Sequence, residues 1–214
     1  MVKKNFLTTG LVLVLVILTL SFVGSLSAQK VEKLSPKMLA SQAKIKMEEA
    51  AATALKEAPG YVLKAELEKE KGKLIYSFDI LPSATSQKIT EVQIEAITGQ
   101  VVSKAEENIS GKEEEEKEEA EEKGEKKSEE KAEKEEEPEV KELISAVRIT
   151  FDQAIKIARQ ESPGFVLSAE LEKEKGQVIY SFDILPDLNS QEINEIQVNV
   201  TTGKIAAKEK EKIK

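Results

Sequence analysis

The sequence predicts an α+β fold made twice. Each of two small repeats has one amphipathic helix packed on a three- to four-stranded antiparallel sheet, and a charged disordered linker joins them. Three observations predict it. Ala65–Pro82 returns almost unchanged as Ala169–Pro186, with the blocks AELEKEKG and IYSFDILP identical at an offset of 104 residues. Strict apolar–polar alternation runs through both copies, as half-buried strands require. Lys112–Glu137 holds 7 lysines and 15 glutamates with no aromatic or β-branched residue. Such a run cannot bury enough apolar surface to offset its ordering entropy.

In chain order, Met1–Ala28 reads as a secretory signal. Lys3 and Lys4 precede the apolar run Leu11–Leu20, and small residues Ser25, Ser27 and Ala28 end it. Phe6–Gly24 carries no charge, so an uncleaved N-terminal anchor is the competing expectation. The expected domains are 1–28 as signal, 36–104 as the first repeat, 105–141 as linker and 143–208 as the second repeat.

Ser35-Pro36 looks like an N-cap followed by proline at the first helical position, opening a helix toward Ala58. Met47, Ala50, Ala51, Ala54, Leu55 and Ala58 share one helical face, and Pro59-Gly60 ends the helix. In the second copy Thr150 and Gln153 form a capping box. Phe151, Ala154, Ile155 and Ala158 make the apolar stripe, and Pro163-Gly164 is the stop. Leu143–Val147 is a short lead into that helix.

The first strand is expected to turn Tyr61, Leu63, Ala65 and Leu67 inward, with Lys64, Glu66 and Glu68 outward. Gly72 supplies the turn. The next strand places Leu74, Tyr76, Phe78 and Ile80 inward and Ile75, Ser77 and Asp79 on the wet side. A third places Val92, Ile94 and Ala96 inward and Glu91, Gln93 and Glu95 outward. Thr98-Gly99 turns into a short return at Val101-Val102. Phe165–Glu174, Gln177–Leu185, Glu192–Val200 and Thr202-Gly203 repeat the plan. The seven aromatics beyond the signal all lie in the repeats, six of them on expected inward strand faces. Lys208–Lys214 reads as a frayed charged tail.

Composition narrows the function. With no His and no Cys, the usual general base, thiol catalysis, disulfides and thiolate zinc sites are excluded. The excess of glutamate in Lys112–Glu137 equals the whole net charge of −8, so the residues outside that run sum to zero and the repeats carry no nucleic-acid footprint. No cofactor and no metal is expected, and no loop has calcium-ligand spacing. The candidate binding face is Glu66, Glu68, Ser77 and Asp79, with Glu170, Glu172, Ser181 and Asp183 as counterparts. It suits a cation or a basic partner group. The plainer account is a solvated sheet face with Lys64, Lys69 and Lys71 nearby. A glycosidase-like acid–base pair would need a cleft that raises one carboxyl, and an open sheet offers none. Asn108-Ile109-Ser110 and Asn199-Val200-Thr201 match the glycosylation sequon, a pattern short enough to arise by chance.

The ordered set Pro59-Gly60, Gly72, Tyr76, Phe78, Asp79, Glu91 and Thr98-Gly99 resembles the PepSY family. Pro163-Gly164, Gly176, Tyr180, Phe182, Asp183, Glu195 and Thr202-Gly203 carry the resemblance again. It implies a non-catalytic domain of the kind found in propeptides of thermolysin-type metallopeptidases and in stand-alone exported or membrane-attached proteins. The chain has no H-E-x-x-H motif, so protease regulation would act in trans. The expectation is an exported, non-enzymatic protein-binding module, periplasmic, envelope-bound or extracellular, whose partner is a protein such as a secreted metallopeptidase. The alternative is an envelope scaffold or sensor that binds wall, cation or membrane-protein ligands.

Overall fold

The computed structural model describes residues 34–109 and 136–213. The signal expectation and the core of the linker lie outside the described residues. The described elements are α1 (Pro36–Gln42), α2 (Met47–Glu57), β1 (Tyr61–Glu70), β2 (Lys73–Leu81), β3 (Lys88–Glu95) and β4 (Val101–Asn108). They continue with α3 (Glu136–Ala146), α4 (Phe151–Glu161), β5 (Phe165–Glu174), β6 (Gln177–Leu185), β7 (Glu192–Asn199) and β8 (Ile205–Lys212).

Each repeat is an antiparallel meander with a helix on one side, as expected, but the sheets are not separate. All eight strands form one sheet in the order β4-β3-β2-β1-β5-β6-β7-β8. The joint is antiparallel and short: Lys64 faces Glu170, Ala65 faces Ala169 and Glu66 faces Ser168. Because Ala169 is the repeat counterpart of Ala65, the pairing is its own mirror in sequence. The two copies meet as the subunits of a two-fold dimer would, within one chain. Each first strand, an exposed edge in an isolated repeat, is thereby paired.

The helices lie together on one face. Met47, Ala50, Ala51, Ala54 and Ala58 are buried, as are Phe151, Ala154, Ile155 and Ala158. They pack on Leu74, Tyr76, Phe78 and Ile80 and on Val178, Tyr180, Phe182 and Ile184 in a single hydrophobic core. Two cross-repeat ties run along this face. The Arg159 guanidinium on α4 binds the Glu48 carboxylate on α2, and the Tyr180 hydroxyl donates to the Val62 carbonyl at 2.9 Å. Helix α1 also reaches from its own β1 to β5 and β6 of the other repeat.

Local chemistry explains the ends of these elements. The Ser35 side chain accepts from the Met38 amide, with Pro36 at the first helical position. Thr150 and Gln153 close a reciprocal capping box at 3.2 and 2.8 Å. The hairpin loops need only Lys71-Gly72 and Lys175-Gly176, all four at positive φ, the backbone of a two-residue type I′ turn. Gly60 and Gly164 are held to glycine by contact. A Cβ there would sit 2.3 and 2.4 Å from the Leu81 and Leu185 carbonyl oxygens.

Several expectations are corrected. The segment before Ala58 is two helices, because the Lys44 and Ile45 amides both turn to the Ala96 carbonyl, at 2.8 and 3.2 Å. A bulge at Leu63 in β1, repeated at Leu167 in β5, breaks strict alternation. Val62 and Val166 therefore go inward, while Tyr61 and Phe165 are left 36% and 41% exposed. The return strands are full length, so residues 105–108 of the expected linker belong to β4 and residues 136–141 to α3. Leu143–Val147 is mostly the end of α3 rather than a separate lead. The expected frayed tail is instead β8, which pairs along β7 from Ile205 to Lys212. Finally, the far side of the sheet is not uniformly wet, since Ile75, Ile179 and Asp79 are buried there.

Candidate functional site

All eight candidate residues fall on the face opposite the helices. Register places Glu66 and Glu68 of β1 beside Ser77 and Ile75 of β2, and Asp79 between Lys64 and Glu91. Glu170 and Glu172 of β5 lie beside Ser181 and Ile179, and Asp183 beside Ser168 and Glu195. The sequence offers these as two separate patches. The β1–β5 joint merges them into one surface over the four central strands.

Sequence reasoning missed the hydrogen-bond network that organises this face. Ser77 donates to Glu91 Oε1 at 2.9 Å, and the Gln93 amide donates to Glu91 Oε1 at 3.2 Å and Glu70 Oε2 at 2.6 Å. The second repeat copies it. Ser181 donates to Glu195 at 2.9 Å, and the Gln197 amide donates to Glu195 at 2.8 Å and to Glu174. Gln197 is only 5% exposed, so its amide is a fixed donor rather than a surface rotor. The available signal was the outward pair Glu91 and Gln93 recurring as Glu195 and Gln197, at the 104-residue offset.

The electrostatics follow from this crowding. Burial, then the charges of Glu66, Glu70 and Glu91, push the Glu68 carboxyl up to about 7 against the opposing pull of Lys64. Glu172 is raised for the same reasons, burial first and then Glu170, Glu174, Glu195 and Asp183. Burial also raises Asp183; the 2.8 Å hydrogen bond from Ser168 lowers it, and Glu195, Glu211 and Glu66 raise it further. Glu70 and Glu174 go the other way, held down chiefly by hydrogen bonds from Lys71 and Lys175.

Among the described residues, Glu172, Glu174 and Glu195 bring carboxylate oxygens within 4.8 Å of one another. Glu174 already accepts from Gln197 and Lys175, and Glu195 from Ser181 and Gln197, so a cation would have to displace protein donors. The carboxylates of Glu70, Glu91, Glu174 and Glu195 are thus held in place by serine, glutamine and lysine donors of the same face.

Comparison with known proteins bears on this arrangement. Residues 44–104 and 148–209 each match the PepSY family, described as peptidase propeptide and YPEB domain, and the two matches cover more than half of the chain. No curated protein matches the chain. Among solved structures, the chain is similar to a protein from Clostridium difficile 630 described as a candidate lipoprotein. Identity is 18%, 81% of this chain and 98% of that chain are covered, and the TM-score is 0.39. Among the described residues, no helix is long and apolar enough to cross a membrane.

Proposed function

The chain belongs to the PepSY family, with one copy of the domain in each repeat, and from that premise we propose that it is an exported, non-enzymatic protein-binding module that restrains an extracytoplasmic protease in trans. In this reading residues 1–28 direct export, 36–104 and 143–208 are the binding repeats, and 105–141 is the spacer between them. The family description, peptidase propeptide, supports a peptidase as the partner class. One observation carries the reading furthest: a carboxylate-rich face of one continuous sheet spans both repeats and is tied internally by paired Ser–Glu–Gln networks. Such a face arrives preorganised, so little ordering cost falls on binding. Docking takes place on that face, through Glu66, Glu68, Ser77, Asp79, Glu170, Glu172, Ser181 and Asp183. The absence of His and Cys from the sequence fits a role without covalent or general-base chemistry.

The test is inhibition. The chain from residue 29 onward is titrated into secreted metallopeptidases, and activity and binding are followed together. Lowered activity that is lost on combined Glu66→Gln, Asp79→Asn, Glu170→Gln and Asp183→Asn substitution supports the reading. Neither inhibition nor binding across such peptidases removes it. The close approach of Glu172, Glu174 and Glu195 favours a second reading, a scaffold or sensor that takes a cation. Calorimetric titration with calcium separates the two, since heat of binding at that cluster is expected only from the second.

A further inference from the structure

The sheet ends in two outer strands, β4 and β8, which are counterparts in the duplication. Their sequences differ at the middle of the edge. Lys104, Ala105 and Glu106 of β4 stand where β8 has Lys208, Glu209 and Lys210. Lys104 and Glu106 are exposed, and the small Ala105 lies half-buried between them.

The run Lys104-Ala105-Glu106 repeats one already used at the joint between the repeats. There Lys64-Ala65-Glu66 of β1 pairs antiparallel with Ser168-Ala169-Glu170 of β5, alanine opposite alanine and Lys64 opposite Glu170. On β4 the same tripeptide lies on a strand whose sheet neighbour is β3 alone. Register shows what that strand offers outward. The Ile109 amide donates to the Gln87 carbonyl at 3.2 Å, and bonding in an antiparallel pair alternates along the strand. Ser103 and Ala105 therefore bond toward β3, opposite Gln93 and Glu91, and the backbone groups of Lys104 and Glu106 point away from the sheet. Both side chains lie on the helix side. Lys104, opposite Val92, donates to the Glu57 carbonyl at 2.5 Å, and Glu106, opposite Thr90, accepts from Lys88 at 3.4 Å.

We infer that β4 is the docking edge for a second copy of this chain: two β4 strands pair antiparallel about a two-fold axis at Ala105 and carry the sheet across two molecules. In that register Lys104 of each molecule faces Glu106 of the other, and the two alanines face one another. Opposite charges directly across a strand pair favour it, and here the axis supplies the pair twice. The outward backbone groups of Lys104 and Glu106 meet each other as ladder partners. Cross-strand neighbours share a face, so both helix layers lie on one side of the joined sheet and both carboxylate-rich faces on the other. The contact is isologous and closes at two molecules.

β8 is barred from the equivalent contact. Its own register would set Lys208 against Lys210 twice and Glu209 against Glu209. A mixed β4–β8 contact, which would propagate without closing, sets Lys104 against Lys210 and loses one of the two attractive pairs.

The first test is sedimentation equilibrium on the chain from residue 29 onward, over a concentration series reaching about 1 mM. A monomer–dimer equilibrium without larger species is expected. Lys104→Glu and Glu106→Lys, each placing like charges across the axis, are expected to weaken the dimer about tenfold. The double swap Lys104→Glu/Glu106→Lys restores opposite charges and is expected to return the dimer to within about threefold of the parent. The second test uses the absence of cysteine from the sequence. Facing residues of a non-bonded antiparallel pair have Cα atoms about 4.5 Å apart, within disulfide reach. Ala105→Cys is therefore expected to form a disulfide-linked dimer under a mild oxidant, and Glu209→Cys on β8 to stay monomeric. Circular dichroism checks that each variant is folded, and the cross-linking pair decides alone if a single swap is not. The inference is overturned if the parent chain is monomeric throughout the series. It is equally overturned if the double swap restores nothing, or if Glu209→Cys cross-links as readily as Ala105→Cys.

Discussion

Repeat 1 and repeat 2 share a sheet almost residue for residue and differ in what covers it. In repeat 2, Phe151 from α4 stacks on the sheet aromatics, 5.4 Å from Tyr180 edge-on and 5.9 Å from Phe182. In repeat 1 the same helical position is Met47, followed by alanines. Helix α4 starts with a full capping box, while Lys46 at the start of α2 makes no side-chain cap. The duplicated tyrosines diverge as well. Tyr76 donates to Ile45 within its own repeat at 3.1 Å, whereas Tyr180 donates to Val62 of the other. The counterpart of Arg159 is Leu55, so the helix-side ion pair exists on one side of the pseudo-two-fold only. One sheet thus accepts two helical covers, and the second copy is the one adapted to grip the first.

The strongest way to sharpen this comparison is to empty the helix–sheet contacts. Phe151→Ala is expected to cost about 3–5 kcal/mol, and Met47→Ala about 2–4 kcal/mol, by denaturant unfolding. Equal costs would mean that the aromatic cluster adds nothing beyond volume. Next comes the tyrosine pair. Tyr180→Phe leaves a buried cross-repeat carbonyl without its donor and is expected to cost about 1–3 kcal/mol. Tyr76→Phe, which removes a part-buried hydrogen bond to Ile45 within one repeat, is expected to cost about 1 kcal/mol.

The open face yields a pH test. The folded protein keeps a proton on Glu68 between about pH 4.5 and about 7, where the unfolded chain has lost it. Stability therefore falls as pH rises through that window. Glu68→Gln is expected to flatten the slope and to stabilise the protein near pH 8 by on the order of 1–2 kcal/mol, after discounting for solvent screening. Glu172→Gln is expected to shift stability in the same direction. Thermal melts across the pH series check both. The smallest effect is the cap: Thr150→Ala is expected to cost about 1 kcal/mol, and Lys46→Ala close to nothing.

The sequence carried much of each repeat's interior. Leu74, Tyr76, Phe78 and Ile80 alternate without interruption, and they are buried as expected. Thr150 and Gln153 sit at the one spacing that lets each side chain reach the other's backbone, so that cap was legible too. The bulge at Leu63 was not, because Tyr61, Leu63, Ala65 and Leu67 make an unbroken apolar alternation that a bulge leaves unmarked. The β1–β5 joint was invisible for a different reason. Side-chain alternation reports which face a residue occupies, and a strand whose edge is paired reads like one whose edge is free. The eight face residues were therefore legible one by one, but their union into a single surface was not. In β8 the run Lys208–Lys212 looked like a solvated tail. Its lysines and glutamates in fact alternate between the two faces of an edge strand, which suits an edge that must not pair with others.

The claim on which the account most depends is that the two repeats share one sheet through their first strands. Cross-strand nuclear Overhauser contacts measured on the folded chain test it directly. The account predicts backbone contacts linking Lys64 to Glu170, Ala65 to Ala169 and Glu66 to Ser168. Intact β1–β2 and β5–β6 contacts with none between β1 and β5 would contradict it.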